Sequence, residues 1–176
     1  MSTDATVLQS RKQRLSELSE FADQLEGRSA EDILNWAASR FGKGLTFATG
    51  FGAEGCVLID LIGKNKLPID IFTLDTGLLF QETYHLWHRL EARYNITIRG
   101  IVPELDVDQQ AKTYGDRLWE RSPDKCCNIR KVIPLKATLA NVDAWVTAIR
   151  RDQTTERANA KVIEWDHKFN IVKVNP

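Results

Sequence analysis

Two adjacent cysteines open the run Cys126-Cys127-Asn128-Ile129-Arg130-Lys131-Val132. Vicinal thiols followed by two cations suggest chemistry more than packing. Nearby cations favour thiolates, and thiolates act as metal or cluster ligands or as a redox pair. Two packed cysteines on a helix are the plainer alternative. Zinc-type CxxC spacing is absent. The third cysteine, Cys56, lies in an apolar stretch and reads as a buried small hydrophobe. A second run, Arg150-Arg151-Asp152-Gln153-Thr154-Thr155-Glu156-Arg157, offers guanidinium forks suited to phosphate or sulfate oxygens. A solvated charged loop is the alternative there.

Two further segments have the texture of ligand loops. Thr49-Gly50-Phe51-Gly52-Ala53-Glu54-Gly55 reads as strand end, tight turn and helix start, where backbone N–H groups and the helix dipole favour an anion. It is neither a Walker A loop nor GxGxxG, and an ordinary βα turn also fits. Leu74-Asp75-Thr76-Gly77 places a carboxylate at a strand end. That carboxylate suits a ribose hydroxyl or an Asx-turn. Glu82 and Tyr84 follow closely enough to share its rim. His85, His88 and His167 read as surface or packing residues.

These segments need elements to position them. Leu15, Leu18, Ala22 and Leu25 recur at helical spacing, which predicts a helix over 9–26, ended by Gly27. Ser29 with Asp32 three residues on predicts the next helix start. Strands are expected at 45–49, 69–74, 96–102 and 144–149, and a hairpin at 162–174. Helices are expected at 53–64, 81–94, 106–121 and 124–140, with Pro134 breaking or starting a segment. Strands alternating with helices predict an α/β fold with a doubly wound, mostly parallel sheet. Such sheets bind ligands outside the strand C-terminal ends, where all the candidate loops fall. Residues 1–44 are read as N-terminal helices and 45–176 as the ligand-binding domain.

The chain has 176 residues, a one-domain length. Its 24 basic and 24 acidic residues cancel, which argues against a nucleic-acid coat or a polybasic membrane anchor. No apolar run approaches the ~20 residues of a membrane span. No secretory signal pattern is present at the N-terminus. An odd set of three cysteines makes a poor disulfide framework, so the cytoplasm is the expected compartment.

The four segments, in this order, resemble the assimilatory adenylyl-sulfate (APS) and phosphoadenylyl-sulfate (PAPS) reductase family. The likeness runs from about Leu45 to Pro176. Phe51-Gly52-Ala53-Glu54 matches the family's PP-loop segment, and Leu74-Asp75-Thr76-Gly77 with Phe80, Glu82, Thr83 and Tyr84 its LDTG…F.ETY segment. Cys126 through Leu135 is similar to its CC..RKV.PL block, and Arg150 through Ala158 to its Arg-loop. The resemblance implies an adenine nucleotide alpha hydrolase-like (PP-loop) fold. It implies thioredoxin- or glutaredoxin-dependent reduction of APS, or of PAPS, to sulfite and AMP or PAP in sulfate assimilation. A thiolate would attack the sulfur, expel the nucleotide and leave an S-sulfocysteine for the reductant. Thr49, Gly50, Phe51, Gly52, Asp75 and Gly77 would hold the adenosine part. Lys131, Arg151 and Arg157 would face the phosphosulfate. Cys126 and Cys127 would supply two of the four ligands of a 4Fe-4S cluster and mark the APS-preferring branch. A homo-oligomer is compatible with this reading.

The sequence departs from the family at Thr49-Gly50, Gly55 and Leu78, each costing a polar contact. The family's downstream CxxC and its C-terminal nucleophilic cysteine do not occur before Pro176. The expectation is a C-terminally truncated, nucleotide-binding half that is inactive alone. The rival readings are a non-catalytic adenine-nucleotide-binding fragment and an ATP-using PP-loop protein.

Overall fold

The computed structural model describes residues 16–176. Helix α1 (16–25) and helix α2 (Ala30–Phe41) lead into strand β1 (Leu45–Thr49). Helix α3 (Ala53–Lys64), strand β2 (Asp70–Leu74), helix α4 (Gln81–Tyr94) and strand β3 (Ile98–Ile101) follow. Four short helical pieces then return the chain across the sheet. They are α5 (Val107–Tyr114), α6 (Leu118–Arg121), α7 (Pro123–Cys127) and α8 (Ile133–Leu139). Strands β4 (Ala144–Val146), β5 (Ile163–Asp166) and β6 (Ile171–Val174) complete the sheet.

The six strands lie in the order β3-β2-β1-β4-β6-β5. All neighbours are parallel except β5 and β6, which form an antiparallel hairpin. The chain winds outward from β1 through β2 to β3, then crosses back to β4 on the other side of β1. The winding therefore reverses between β1 and β4, and the C-terminal ends of these strands open a crevice. Both faces of the sheet are covered, which explains why β1 is buried at every position but Ala48, itself partly buried. Leu45 and Phe47 join the larger core with Leu34 of α2, Ile59 of α3 and Leu90 of α4. Phe72 and Leu139 form a smaller core on the side of α8. Leu18, Ala22 and Leu25 of α1 belong to the larger core.

The expected parallel α/β architecture is present, with local differences. Residues 9–15 of the predicted first helix lie outside the described residues. Ser29 caps α2 as its spacing predicts, its Oγ accepting from the Asp32 amide at 3.1 Å. The strand expected over 96–102 is only Ile98–Ile101, because α4 ends on Asn95 in the left-handed region (φ 50°) and the chain must turn first. The helix expected over 106–121 is broken at Gly115, whose φ of 84° no helix tolerates. The helix expected over 124–140 is α7 and α8 joined by a π-helical turn, Asn128–Val132. Pro134 causes this: it has no N–H for the carbonyl four residues back, and its ring crowds that carbonyl. The Ile133 amide instead reaches the Asn128 carbonyl. Such widened turns recur at functional sites.

Replacing a side-chain N-cap by alanine costs about 1 kcal/mol. Ser29→Ala should therefore lower the free energy of unfolding in urea by about that amount with an unchanged m-value. An unchanged midpoint would show that α2 does not depend on this cap.

Candidate functional site

The first loop is built around Thr49. Its buried hydroxyl accepts from the Phe51 amide at 3.1 Å. Phe51 takes a left-handed conformation (φ 58°), unfavourable for a bulky residue and common where a site imposes it. Its ring is buried and stacks on Trp87 at 5.8 Å, anchoring the loop from behind. The Phe51 N–H is thus engaged by Thr49 and not free for an anion. Gly55 answers the same constraint: a Cβ there would sit 2.9 Å from Thr49 Oγ1. The small residue at 55 lets α3 close onto the end of β1. Cys56 lies behind the loop, with its Sγ 3.6 Å from the Phe51 carbonyl, and burial pushes its thiol up.

The second loop is closed by Asp75. One carboxylate oxygen accepts both the Gly77 amide at 3.0 Å and the Tyr84 hydroxyl at 2.7 Å. This is the Asx-turn geometry. Gly77 has φ 67°, so the turn needs glycine. Asp75 thus shapes the loop, and it is Thr76 and Leu79 that face the crevice.

The cysteines end α7. Cys126 is buried and Cys127 exposed. The π-helical turn then gives its two cations different exposures. Arg130 points inward and is 2% exposed. Its Nε donates to the Thr76 carbonyl, and its Nη1 to the Leu105 carbonyl at 3.2 Å and to Gln110 Oε1 at 3.1 Å. No carboxylate pairs with it among the described residues. Lys131 points outward into the crevice and likewise has no ion-pair partner among the described residues.

The crevice has two connected halves. One, about 370 Å³, is bounded by Thr49, Gly50, Phe51, Thr76, Lys131 and Trp145 among others. The other, about 360 Å³, is lined by Thr76, Trp119, Cys126, Cys127, Arg130 and Lys131 with their neighbours. Thr76, Leu79 and Lys131 line both. The indole N–H of Trp145, a residue that borders the first half, is buried without an acceptor among the described residues.

The structure therefore brings together Thr49, Gly50, Phe51, Lys131, Cys126 and Cys127. Gly52 caps α3 beside them, and Gly77 sits in the turn behind Thr76. It does not bring the arginine run to the crevice. Arg151 makes a two-pronged ion pair with Glu26, at 2.7 and 2.8 Å, and lines a separate cavity with Arg28 and Ile149. Arg157 donates to Gln153. Arg150 reaches Glu54 at 3.2 Å, at the start of α3. Sequence reasoning missed Arg130 and Gln110 as site residues. Arg130 stood in the cysteine run, but nothing in that run separates the inward cation from the outward one. Among the described residues no group of three or more Cys, His, Asp or Glu could hold a metal ion, so the cysteine pair supplies two ligands at most. No described helix is long and apolar enough to cross a membrane.

The Tyr84 phenol is pushed up to about 12 by its hydrogen bond to Asp75, then by burial and by the carboxylate's charge. A raised value means the folded state holds the proton more tightly. This stabilisation is complete below pH ~10, the ordinary phenol value, and is lost as pH rises through about 12. Tyr84→Phe should shrink the alkaline loss of stability in that window and remove a phenolate transition near 12 from the 295 nm titration. Loss of a transition near the ordinary phenol value of ~10 instead would refute the Asp75 contact.

Comparison with known proteins adds three findings. Residues 44–176 match the family model described as the phosphoadenosine phosphosulfate reductase domain. An adenosine 5'-phosphosulfate reductase of Halalkalibacterium halodurans is 42% identical over 160 residues, covering 90% of this chain and 69% of that protein. Adenosine 5'-phosphosulfate reductase 1 of Bacillus subtilis is 45% identical over 152 residues, covering 85% and 64%. This chain thus spans about two thirds of those relatives. A crystal structure of phosphoadenylyl-sulfate (PAPS) reductase from Candida auris, a phosphate complex, superposes with a TM-score of 0.79 at 31% identity, covering 90% of this chain and 77% of that one.

Proposed function

The chain belongs to the phosphoadenosine phosphosulfate reductase domain family, and from that premise we propose that its crevice binds the adenine nucleotide of a phosphosulfate substrate. The substrate is APS, with PAPS as the variant carrying a further phosphate. One observation carries the reading: Lys131 lines both the nucleotide-sized half of the crevice and the half that holds the cysteine pair. A nucleotide lying along Thr49–Phe51 and Thr76 would set its anionic end against this free ammonium. Negative charge grows on the leaving phosphate as the sulfur–oxygen bond breaks, and a cation already in place stabilises that charge.

The cysteine pair fits a half-share of a cluster. Two thiols on one helix end, one buried beside an N–H donor and both lining the half of the crevice that Arg130 and Lys131 also line, suit metal ligation. Cys126 and Cys127 would hold a 4Fe-4S cluster, which would fix the spacing of the sulfurs and add its own field beside Lys131. The remaining ligands are not assigned to any described residue. The attacking thiol is not assigned either, since Cys56 is half-buried behind Phe51 with its thiol pushed up. A thioredoxin or glutaredoxin would release sulfite from the sulfonated thiol.

Calorimetric titration of the 176-residue chain with AMP tests the reading. AMP should bind, and Lys131→Ala should weaken it about tenfold, the scale of one charged hydrogen bond. With APS and reduced thioredoxin the same preparation should release no sulfite above the buffer control. Failure to bind AMP, or an affinity indifferent to Lys131, would overturn the proposal.

A further inference from the structure

We propose that Gln110 is a positioning residue that couples the Thr76 loop to the sulfur of Cys126. The inference rests on the crevice reading above and deepens it. Gln110 belongs to α5 and is 1% exposed, so water cannot complete its hydrogen bonds. Its Oε1 accepts from Arg130 Nη1 at 3.1 Å, and its Nε2 lies 3.7 Å from Cys126 Sγ.

The orientation of this amide is dictated by its neighbours. A guanidinium only donates, so the amide oxygen must face Arg130. The amide nitrogen is then left to face the sulfur, which must accept. Turning the amide over would set donor against donor on the Arg130 side. Arg130 in turn donates to the Thr76 carbonyl, and a Cβ on Gly77 would lie 3.3 Å from Arg130 Nη2. The sequence Cys126–Gln110–Arg130–Thr76 is therefore continuous and closely packed. A change at the sulfur passes through one amide and one guanidinium to the loop at the mouth of the crevice. Buried polar networks of this kind respond as units because each unmet bond is costly.

Hydrogen exchange of the full chain, read over residues 75–80 with and without cadmium(II), tests the coupling. Cadmium is the probe because it is a soft cation that thiolates bind. In the parent chain cadmium should slow exchange in this segment at least about fivefold, the lower bound for coupled sites. Cys126→Ser should abolish the effect. Gln110→Leu removes both contacts, so its exchange should be fast and indifferent to cadmium. Gln110→Glu keeps an acceptor for Arg130 but loses the donor to the sulfur. Its cadmium-free exchange should match the parent while the cadmium response is lost. If Gln110→Leu does not fold, Gln110→Glu alone decides. No slowing in the parent, or equal slowing in Gln110→Glu, would overturn the inference. Loss of AMP binding with the cadmium response intact would instead remove the nucleotide reading and leave Gln110 in place.

Discussion

A guanidinium buried without a carboxylate sets the terms for the rest of the site. Removing an ion from water costs several kcal/mol even after relaxation. Hydrogen bonds to a charged group return about 1.5–3 kcal/mol each. Arg130 makes three, to the carbonyls of Thr76 and Leu105 and to Gln110. Their sum is of the same order as the penalty, so none of the three is dispensable. The three acceptors come from the β2–α4 loop, the β3–α5 loop and helix α5. One side chain thus fixes three segments at the mouth of the crevice. It also leaves a positive charge without an anion of its own close to Cys126.

This arrangement depends on the π-helical turn and on the sheet. An unbroken helix through Asn128–Val132 would rotate its side chains by about 100° per residue without the extra residue in the turn. Pro134 removes the ordinary bond, and the widened turn lets Arg130 face the core while Lys131 faces the crevice. The sheet supplies the crevice because its winding reverses between β1 and β4. Loops following β1, β2 and the α7–α8 segment converge there. The two halves of the crevice meet at Thr76, Leu79 and Lys131.

Much of the fold was legible in the sequence, and the reasons are local. β1, α3 and α4 follow from short buried runs and helical spacing, and their bounds coincide with those expected. Ser29 and Asp32 announced a cap that the structure contains. The long polar stretch from 106 to 140 was legible as helix but not as four pieces. The break at Pro134 was expected from its missing N–H, and α8 does start there, whereas the positive φ at Gly115 does not alter the periodicity and the π-helical form of the turn before Pro134 could not be read from it. At the site, the residue types and their order pointed to three segments that the structure places around one crevice, and to an arginine run that it does not. Which cation turns inward, and that Arg151 is taken up by Glu26 far away in sequence, depend on contacts that spacing does not encode. Gln110 gave no signal, because a glutamine in a polar helix looks like a solvated face.

The proposed binding of AMP is centred on the crevice between β1 and β4. Amide chemical-shift mapping of the labelled chain during addition of AMP tests it most directly. The largest shifts should fall at Gly50, Gly52, Thr76, Leu79 and Lys131, with Arg28, Ile149 and Arg151 nearly still. Shifts concentrated on Arg28, Ile149 and Arg151, with residues 49–52 unmoved, would contradict it.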